Sequence, residues 1–431
     1  MIVWIDASSL GSEQRTFGLT LIERHLQALV RVTPKPEIIV IELGATGQEI
    51  RLPAELSARL KIEWRRTSGD FADRLRPLLA AAGNRPIMLL DATVIADSRL
   101  HESLARVNHQ AVVLSPKRKQ AAAMVILTGY GSPVADILDA AAVDLYAFGR
   151  RLLDDGRAQP LQEDEFNGFI RKLRRTLPYY LFKIDSEKKA AKVERFMFWS
   201  NYKGSTDLFT RYVYPPLVWF LVRPLARWRV HPNLVTLASI ILAFGAIPCW
   251  VHGQFMAGFA MAYAMSVLDS VDGKLARLTF TDSRLGNFLD HGLDMVHPPL
   301  WYVAWAYGLG IGADGWDSTL GRAAIAITVF YVLDRLILKI YPRYFQRAFH
   351  THSRMDGLMR SFIARRNISL PVFMVGYLVG FGREAFYLIA AWQIATALYH
   401  GVRTFWILAV QHAHKKGHRP TDVAGAMVDL D

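Results

Sequence analysis

Four aspartates lie close together in a part of the chain whose flanking segments are apolar. They are Asp269, Asp272, Asp290 and Asp294, in the frame Asp-x2-Asp-Gly-x2-Ala-Arg-x8-Gly-x3-Asp-x3-Asp. A carboxylate at the depth of a bilayer costs roughly 2.5–3.5 kcal/mol, so a cation, a substrate or a water-filled cavity must offset the charge. The sequence therefore predicts a cation site inside a helical bundle.

The spacing of the aspartates predicts how two helices present them. Asp269 and Asp272 are three residues apart and Asp290 and Asp294 are four apart, so each pair projects from one face of a helix. Two helices that face each other across a loop near 278–285 would bring the four carboxylates together. Hard oxygen ligands of this kind suit Mg²⁺ or Mn²⁺, with water or phosphate oxygens completing the coordination.

Other residues of the frame favour a phosphate-bearing ligand beside the cation. Gly273 and Gly286 leave room for a ligand or a neighbouring backbone, and Arg277 adds a positive donor suited to phosphate. The alternative is that membrane aspartates form proton relays or buried ion pairs. That alternative does not explain the glycines and the arginine in this register, so we favour a ligand site.

Composition places this site in a membrane protein with a soluble part. The 431 residues are 52% hydrophobic with a net charge of +13, and the length allows two or three domains. The first 200 residues resemble a water-soluble protein, whereas from about residue 205 long apolar runs alternate with short basic clusters. The positive charge therefore favours a lipid surface and anionic phosphate substrates as partners, and we expect no nucleic acid partner.

The ends and the cysteine content favour a cytosolic location for the soluble part. Cys249 is the only cysteine, which excludes an intramolecular disulfide and permits a reducing compartment. The first residues, Met-Ile-Val-Trp-Ile-Asp, have neither the positive region nor the long apolar region of a signal peptide. We expect the N-terminal part to stay in the cytosol.

Six apolar segments are candidate membrane spans, the fifth of them short and rich in glycine. They are residues 234–252, 254–272, 286–311, 321–341, 369–382 and 384–411. Basic residues cluster before the first span, between the second and third, and between the fourth and fifth. By the positive-inside rule both termini and the aspartates then lie on the cytosolic side, in the inner or plasma membrane of a bacterium or archaeon.

The remaining segments predict four regions along the chain. Residues 38–42 and 86–91 are apolar and β-rich and precede helical stretches, which indicates an α/β domain with a largely parallel sheet. Residues 207–229, with Pro215 and Pro216, favour an interfacial amphipathic helix over a short seventh span. The predicted regions are a cytosolic α/β domain (1–195), a linker and interfacial helix (196–229), an all-α six-helix transmembrane bundle (230–412) and a cytosolic tail (413–431).

The aspartate frame resembles the motif of the CDP-alcohol phosphatidyltransferase family, also called CDP-alcohol phosphotransferases, at every fixed position. Those positions are Asp269, Asp272, Gly273, Ala276, Arg277, Gly286, Asp290 and Asp294. The stretch His231-Pro-Asn-Leu-Val-Thr236 resembles the Pro-Asn-x2-Thr segment of that family, and the six-helix layout is also similar.

This resemblance implies transfer of a phosphoalcohol from a CDP-linked donor to an acceptor hydroxyl, with release of CMP and with Mg²⁺ or Mn²⁺ bound. Asp269, Asp272 and Asp290 would hold the metal, and Asp294 would both lie near the metal and act as the general base. The residues implied to shape the cytidine diphosphate pocket are Gly273, Ala276, Arg277 and Gly286, with Pro232, Asn233 and Thr236 closing it. Homodimers are common in that family, so the resemblance allows one here.

Basic residues near the predicted cytosolic mouth are candidates for an acceptor phosphate site. They are Arg335, Lys339, Arg354, Arg360 and Arg366. Arg335 and Lys339 share a helical face, and the spacing Asp356-x3-Arg360-x5-Arg366 resembles a segment common in the family. Two alternatives stay open, namely contact with lipid headgroups and, for Arg335, a structural pair with Asp334.

The N-terminal region resembles a nucleotidyltransferase domain. Residues 1–32 have its strand-loop-helix start, and Asp91 follows an apolar strand where such domains place a metal aspartate. Residues 182–192 and 203–207 resemble the hinge of fused cytidylyltransferase and CDP-alcohol transferase proteins, such as di-inositol-phosphate-phosphate synthases. The chain lacks their Gly-x-Gly-(Thr/Ser)-Arg phosphate loop, so we favour a degenerate, non-catalytic domain over an active one, with Asp91 as a cap or turn residue.

Three hypotheses about function follow. The acceptor is a phosphorylated polyol such as inositol phosphate, or the protein is a phospholipid synthase that uses CDP-diacylglycerol and makes a phosphatidylglycerol-type or phosphatidylinositol-phosphate-type product. A different class, a membrane transporter or ion-binding protein, would spread polar residues through both leaflets. Here they concentrate on the predicted cytosolic half, which favours an enzyme.

Overall fold

The computed structural model describes most of the chain. It omits residues 10–12, 45–46, 48, 116–120, 129–137, 139–142, 162–164, 167, 171–172, 174, 203–206 and 418–431, and within helices it leaves undescribed the side chains of residues 284–285, 287–291, 293–294 and 411–417. The chain forms two compact units. The first comprises Met1–Gly204, Arg223–Val230 and Lys274–Thr281, and the second comprises Ser205–Val222, His231–Gly273 and Asp282–Asp431.

The first unit is built on a mixed β-sheet with helices. Its strands are β1 (Ile2–Ala7), β2 (Arg15–Thr16), β3 (Leu19–Thr20), β4 (Ile38–Leu43), β5 (Ile62–Arg66), β6 (Ile87–Asp91), β7 (Val94–Ala96), β8 (Ala111–Leu114), β9 (Ala123–Leu127), β10 (Gln159–Pro160), β11 (Phe169–Ile170), β12 (Arg175–Thr176) and β13 (Leu181–Lys183). Its helices are α1 (Leu21–Leu29), α2 (Ala54–Arg59), α3 (Phe71–Ala82), α4 (Ser98–Arg106), α5 (Leu145–Asp154) and α6 (Glu187–Ser200).

The main sheet has seven strands in the order β10-β8-β9-β6-β1-β4-β5. Strands β6, β1, β4 and β5 are parallel, and β9 runs antiparallel to both of its neighbours. Alternate residues of β1 enter two different apolar clusters, Val3 and Ile5 one cluster and Ile2 and Trp4 the other. A strand that is buried on both faces needs a continuous apolar run, which is what the sequence shows. The predicted α/β fold with a largely parallel sheet is confirmed.

The second unit is helical. The helices that lie wholly or partly in it are α7 (Tyr214–Arg227), α8 (Pro232–Val251), α9 (Phe255–Thr279), α10 (Arg284–Gly308), α11 (Ile311–Asp314), α12 (Thr319–Phe345), α13 (Arg354–Met359), α14 (Arg366–Leu378) and α15 (Gly382–Gly417), with a π-helical turn at Phe209–Val213 and a 3₁₀ turn at Phe349–Thr351. Its core is aromatic, and the ring of Trp250 lies edge-on to Trp301 while Trp305 stacks on Phe373.

Each of the six apolar segments predicted as a span lies mainly on one helix of this unit, namely α8, α9, α10, α12, α14 and α15. Segment 286–311 also reaches the first residue of α11, and segment 369–382 the first residue of α15. Among the described residues, only α8 is both long enough and apolar enough to cross a membrane by composition, with a mean hydropathy of 2.2. The predicted helical fold of this region is therefore confirmed, and the number of spans stays a prediction.

The two prolines near residue 215 do not break a helix. Pro215 and Pro216 occupy the first turn of α7, which begins at Tyr214 after the π-helical turn. The helical backbone continues without a break from the π-helical turn into α7, and this turn changes the hydrogen-bond register just before the two residues that lack an N–H. The predicted helical segment exists, and its location at a membrane surface stays a prediction.

Candidate metal and phosphate site

The first aspartate pair lies on one face of α9, and each member has a defined partner in the second unit. The side chain of Asp272 is buried, and its Oδ2 accepts a hydrogen bond of 2.7 Å from the Thr236 hydroxyl on α8. Thr236 belongs to the Pro-Asn-x2-Thr segment. The two segments that carry the family resemblance are therefore in direct contact.

Asp269 contacts an arginine from a different helix. Its Oδ2 accepts a hydrogen bond of 2.9 Å from Nη2 of Arg366, the first residue of α14. Nη1 of Arg366 lies 2.9 Å from Nε2 of the buried His297. Arg366, predicted as an acceptor-phosphate residue, is thus placed beside the predicted metal ligand.

The start of α10 packs closely against the Pro-Asn-x2-Thr segment. The Ser283 hydroxyl accepts a hydrogen bond of 2.9 Å from the Gly286 amide, which caps the helix, and donates to Asn233 Oδ1 over 3.2 Å. A Cβ atom on Gly286 would lie only 3.0 Å from Asn233 Oδ1. Glycine at this position allows Asn233 to approach the helix start. Pro232 is the first residue of α8.

The second aspartate pair is located only by its backbone. Asp290 and Asp294 lie in α10, and their side chains are outside the described residues. Among the side chains that are described, no three His, Cys, Asp or Glu residues gather closely enough to hold a metal ion. Convergence of all four carboxylates therefore stays a prediction. The two carboxylates that are described supply the hard oxygen donors that a divalent cation of this kind requires.

The end of α9 belongs to the first unit and carries Ala276 and Arg277, while Gly273 stands just before it. Nε of Arg277 donates a hydrogen bond of 2.6 Å to Asn201 Oδ1, which directly follows α6. No pattern in the sequence marks Asn201, because a single asparagine at the end of a helix is most often only a cap.

An open pocket in the second unit is rich in positive charge. Its lining residues are Pro298, Tyr331, Arg335, Arg365, Arg366 and Asn367. Three guanidinium groups and an amide at one opening favour an anion such as phosphate. Arg335 and Arg366 were predicted for this role. Arg365 and Asn367 were missed, although the run of three polar residues before the apolar part of α14 could have indicated them.

The other predicted acceptor residues are not among the residues that line this pocket. Lys339 is exposed, and its Nζ lies 3.9 Å from Met295 Sδ. Arg354 is the first residue of α13, and Arg360 follows the end of that helix. Asp356, between them, is buried and accepts a hydrogen bond of 2.7 Å from the Tyr399 hydroxyl. The hydrogen bond of Asp356 therefore attaches helix α13 to Tyr399 on α15.

A buried aspartate supports the polar residues at the start of α14. Asp207 accepts hydrogen bonds from the Thr210 hydroxyl over 3.0 Å and from Asn367 Nδ2 over 3.3 Å, and its Oδ2 lies 3.9 Å from Arg365 Nη1. Burial alone would raise the pKa of Asp207, but Arg365 and these hydrogen bonds hold that pKa below its ordinary value. Asp207 therefore stays charged behind two lining residues of the pocket.

In the first unit, Asp91 forms a turn. Its Oδ1 accepts hydrogen bonds from the Thr93 amide over 2.8 Å and from the Thr93 hydroxyl over 2.7 Å. Burial raises the pKa of Asp91 above its ordinary value. Its partner in the sheet register, Asp6, forms an ion pair with Arg74 over 3.0 Å. These contacts fit the predicted structural role of Asp91.

Comparison with known proteins assigns the helical part of the chain to a family. Residues 229–414 match the family model described as CDP-alcohol phosphatidyltransferase. This part of the chain is a CDP-alcohol phosphatidyltransferase domain, a class whose members are transferases, and the predicted resemblance is confirmed.

One curated relative and two solved structures are similar to parts of the chain. An archaetidylinositol phosphate synthase of Aeropyrum pernix is 38% identical over 79 residues, which is 18% of this chain and 41% of the relative, so the chain spans less than half of that protein. A phosphatidylinositol phosphate synthase of Mycobacterium tuberculosis with bound CDP-DAG is 18% identical and covers 45% of this chain and 94% of its own, with a TM-score of 0.34. A 4-diphosphocytidyl-2C-methyl-D-erythritol synthase is 15% identical over 46% of this chain and 97% of its own, with a TM-score of 0.31.

Proposed function

We propose that the chain is an integral membrane CDP-alcohol phosphotransferase that moves a phosphoalcohol from a CDP-linked donor to an acceptor hydroxyl and releases CMP. The observation that carries this proposal is the family match over residues 229–414, which contains the aspartate frame complete. The contact between Asp272 and Thr236 supports it, because it joins the two segments that the family resemblance assigns to one site.

In this proposal Asp269, Asp272, Asp290 and Asp294 hold a divalent cation, Mg²⁺ or Mn²⁺. When bound, the cation supplies positive charge against the diphosphate of the donor and the departing CMP. The chain contributes a fixed position for Asp272, since its carboxylate is buried and bonded to Thr236. Arg366 donates a hydrogen bond to Asp269, and its guanidinium has further N–H groups that can donate to a phosphate oxygen.

Asp294 is the proposed general base that takes the proton of the acceptor hydroxyl. An aspartate of ordinary basicity is a weak base, so positioning of donor and acceptor must account for most of the rate. Arg277, held by Asn201, is the proposed donor to the cytidine diphosphate. In the second unit, Gly286 leaves room for Asn233.

The proposed acceptor is a phosphorylated polyol such as inositol phosphate. Support comes from the pocket lined by Arg335, Arg365 and Arg366, whose guanidinium groups suit a phosphate dianion. A second candidate, synthesis of a phospholipid from CDP-diacylglycerol or a similar lipid donor, is favoured by the similarity to a protein named for an archaetidylinositol phosphate product.

Exposed apolar rows on the helices of the second unit support an integral membrane location. On α8 the exposed residues Leu234, Leu237 and Ile241 recur every three or four positions, and on α15 Leu398 and Val402 do the same. Such rows are expected where helices face acyl chains. The proposed topology keeps six spans with both termini in the cytosol. The first unit is proposed to be a non-catalytic nucleotidyltransferase-like domain.

The function is tested by measuring CMP release from purified protein in lipid nanodiscs with Mg²⁺. The donors are CDP-diacylglycerol, CDP-archaeol and CDP-inositol, and the acceptors are inositol 1-phosphate and glycerol 3-phosphate. We expect CMP release with at least one pair, and the pair identifies the candidate function. No CMP from any pair, together with Mg²⁺-dependent solute flux into vesicles, would instead favour a transporter.

The assigned base is tested with Asp294→Asn. We expect turnover to fall by about 10²-fold or more, since general-base catalysis contributes on that order, while the donor still binds. Donor binding is measured by calorimetry with the CDP-alcohol alone. Turnover equal to that of the wild type would remove Asp294 from this role.

A further inference from the structure

A buried histidine–aspartate pair joins α12 and α15 in the second unit. The side chains of Asp334 and His400 are both fully buried, and Nδ1 of His400 forms a hydrogen bond to Asp334 Oδ1. A carboxylate oxygen can only accept, so Nδ1 of the histidine carries the proton in this bond. The imidazole also packs edge-on against Phe349, with ring centroids 4.6 Å apart.

The second oxygen of Asp334 lies within ion-pair distance of a residue of the anion pocket. Oδ2 lies 3.0 Å from Nη2 of Arg335, the next residue of α12. The Arg335 guanidinium also lies over the ring of Tyr331, 4.9 Å from its centroid. Arg335 and Tyr331 both line the pocket, whereas His400 does not. The histidine is thus connected to the pocket lining through Asp334.

Stability alone gives a poor account of this pair. Burial removes the carboxylate and the imidazole from water, and replacing buried polar partners by apolar residues of similar volume is often neutral or stabilising. Ionisable groups deep within a helical bundle are costly and usually serve a function. Adjacent residues of a helix point in different directions, so the side chains of Asp334 and Arg335 do not meet by default. Their contact therefore depends on the Asp334 carboxylate being held in place.

We propose that His400 is a positioning residue for the acceptor: it fixes the Asp334 carboxylate, which fixes the Arg335 guanidinium at the mouth of the anion pocket. This inference rests on the proposed function and extends it by naming the residues that set affinity for the phosphate of the acceptor. His400 touches neither donor nor acceptor. Its loss leaves Asp334 free to turn and draws Arg335 out of place.

The test compares His400→Phe with a matched control. Phenylalanine keeps the ring volume beside Phe349 and removes the donor to Asp334. We expect the KM for inositol 1-phosphate to rise about tenfold, as when one charge-assisted hydrogen bond is weakened, with the KM for the CDP-linked donor unchanged. The control is His350→Phe, since His350 is also buried in this aromatic cluster but bonds the Asp356 carbonyl oxygen. We expect it to leave both KM values unchanged.

Rescue separates positioning from packing. His400→Asn keeps an N–H donor close to the place of Nδ1, so we expect it to recover most of the acceptor affinity even where its melting temperature is lower. If His400→Phe does not fold, His400→Gln, whose donor nitrogen lies farther along the side chain, takes its place. An unchanged acceptor KM in the test variant, or an equal rise in His350→Phe, would overturn the proposal.

Binding of inorganic phosphate distinguishes this proposal from the proposed function. Calorimetry with phosphate alone needs no turnover, and we expect weaker binding in His400→Phe than in the wild type. If the wild type releases no CMP with any donor and acceptor, the proposed function is refuted. A difference in phosphate binding between the two proteins would still support the role of His400. Equal phosphate affinity in both proteins would refute the role of His400.

Discussion

A single buried hydroxyl positions the second aspartate of the motif, which is a proposed cation ligand. Asp272 is buried and accepts from Thr236 over 2.7 Å, so removing that donor leaves the carboxylate with fewer restraints. For Thr236→Val we expect the Mg²⁺ concentration for half-maximal CMP release to rise about tenfold, a typical effect of losing a group that orients a metal ligand. Mg²⁺-dependent stabilisation against heat, measured without substrate, should weaken in parallel.

The matched control for this residue is Thr236→Ser. Serine keeps the hydroxyl and removes only a methyl group, so its Mg²⁺ requirement should stay near that of the wild type. A serine variant that behaves like the valine variant would assign the effect to packing of the Thr236 methyl group and would contradict the role of the hydrogen bond.

Residue types with a distinctive chemistry were the most predictable part of the site. The aspartate frame and Thr236 are placed by the resemblance, and the structure adds that Thr236 and Asp272 touch. Arg366 was predicted from its charge and from the spacing Asp356-x3-Arg360-x5-Arg366, and its contact with Asp269 depends on how α14 meets α9. Asn201 and His400 were not predicted. Their roles depend entirely on partners far away in the sequence, at Arg277 and Asp334.

At the scale of elements, one serine links the start of α10 to the Pro-Asn-x2-Thr segment. Ser283 caps the helix through the Gly286 amide and also contacts Asn233. For Ser283→Ala we expect a loss of about 1 kcal/mol in the free energy of unfolding, the usual cost of a lost cap. We also expect a higher KM for the CDP-linked donor, because Asn233 loses its support. Thermal melting and steady-state kinetics measure the two effects.

Another helix of the same unit provides the control. Ser318 caps α12 through the Gly321 amide over 3.1 Å and belongs to neither motif segment. Ser318→Ala should show a similar loss of stability with an unchanged donor KM. If both alanine variants changed the donor KM equally, the effect would be general destabilisation and the link through Asn233 would be wrong.

Helices and strands were predictable from the sequence where a local pattern of apolar residues determines them. The six apolar segments lie on six helices, and the apolar run of β1 is buried on both faces. The placement of Pro215 and Pro216 inside the first turn of α7 was not predicted, since a proline pair equally favours a break. The antiparallel β9 was also not predicted, because strand direction depends on connections and not on local composition.

At the scale of the whole molecule, two short segments that flank apolar helices belong to the compact unit of the sheet. Residues 223–230 contribute Arg229, which pairs with the buried Glu23 over 2.8 Å. Residues 274–281 contribute the Leu278 carbonyl, which accepts from Nη2 of the buried Arg24 over 3.1 Å. No local pattern predicts such contacts. They indicate that the sheet domain supports the end of α9, which carries Ala276 and Arg277.

This arrangement predicts opposite outcomes for two charged residues of the sheet domain. Arg24→Met removes a buried cation that bonds both the Thr16 and Leu278 carbonyl oxygens, so we expect a loss of about 3 kcal/mol or more in stability and a marked fall in CMP release. Asp91→Asn keeps an oxygen that can accept from Thr93, so both the melting temperature and CMP release should stay near wild type. Loss of CMP release in Asp91→Asn without any loss of stability would show that the domain is catalytic, whereas full activity in a folded Arg24→Met variant would show that its contact with the end of α9 is dispensable.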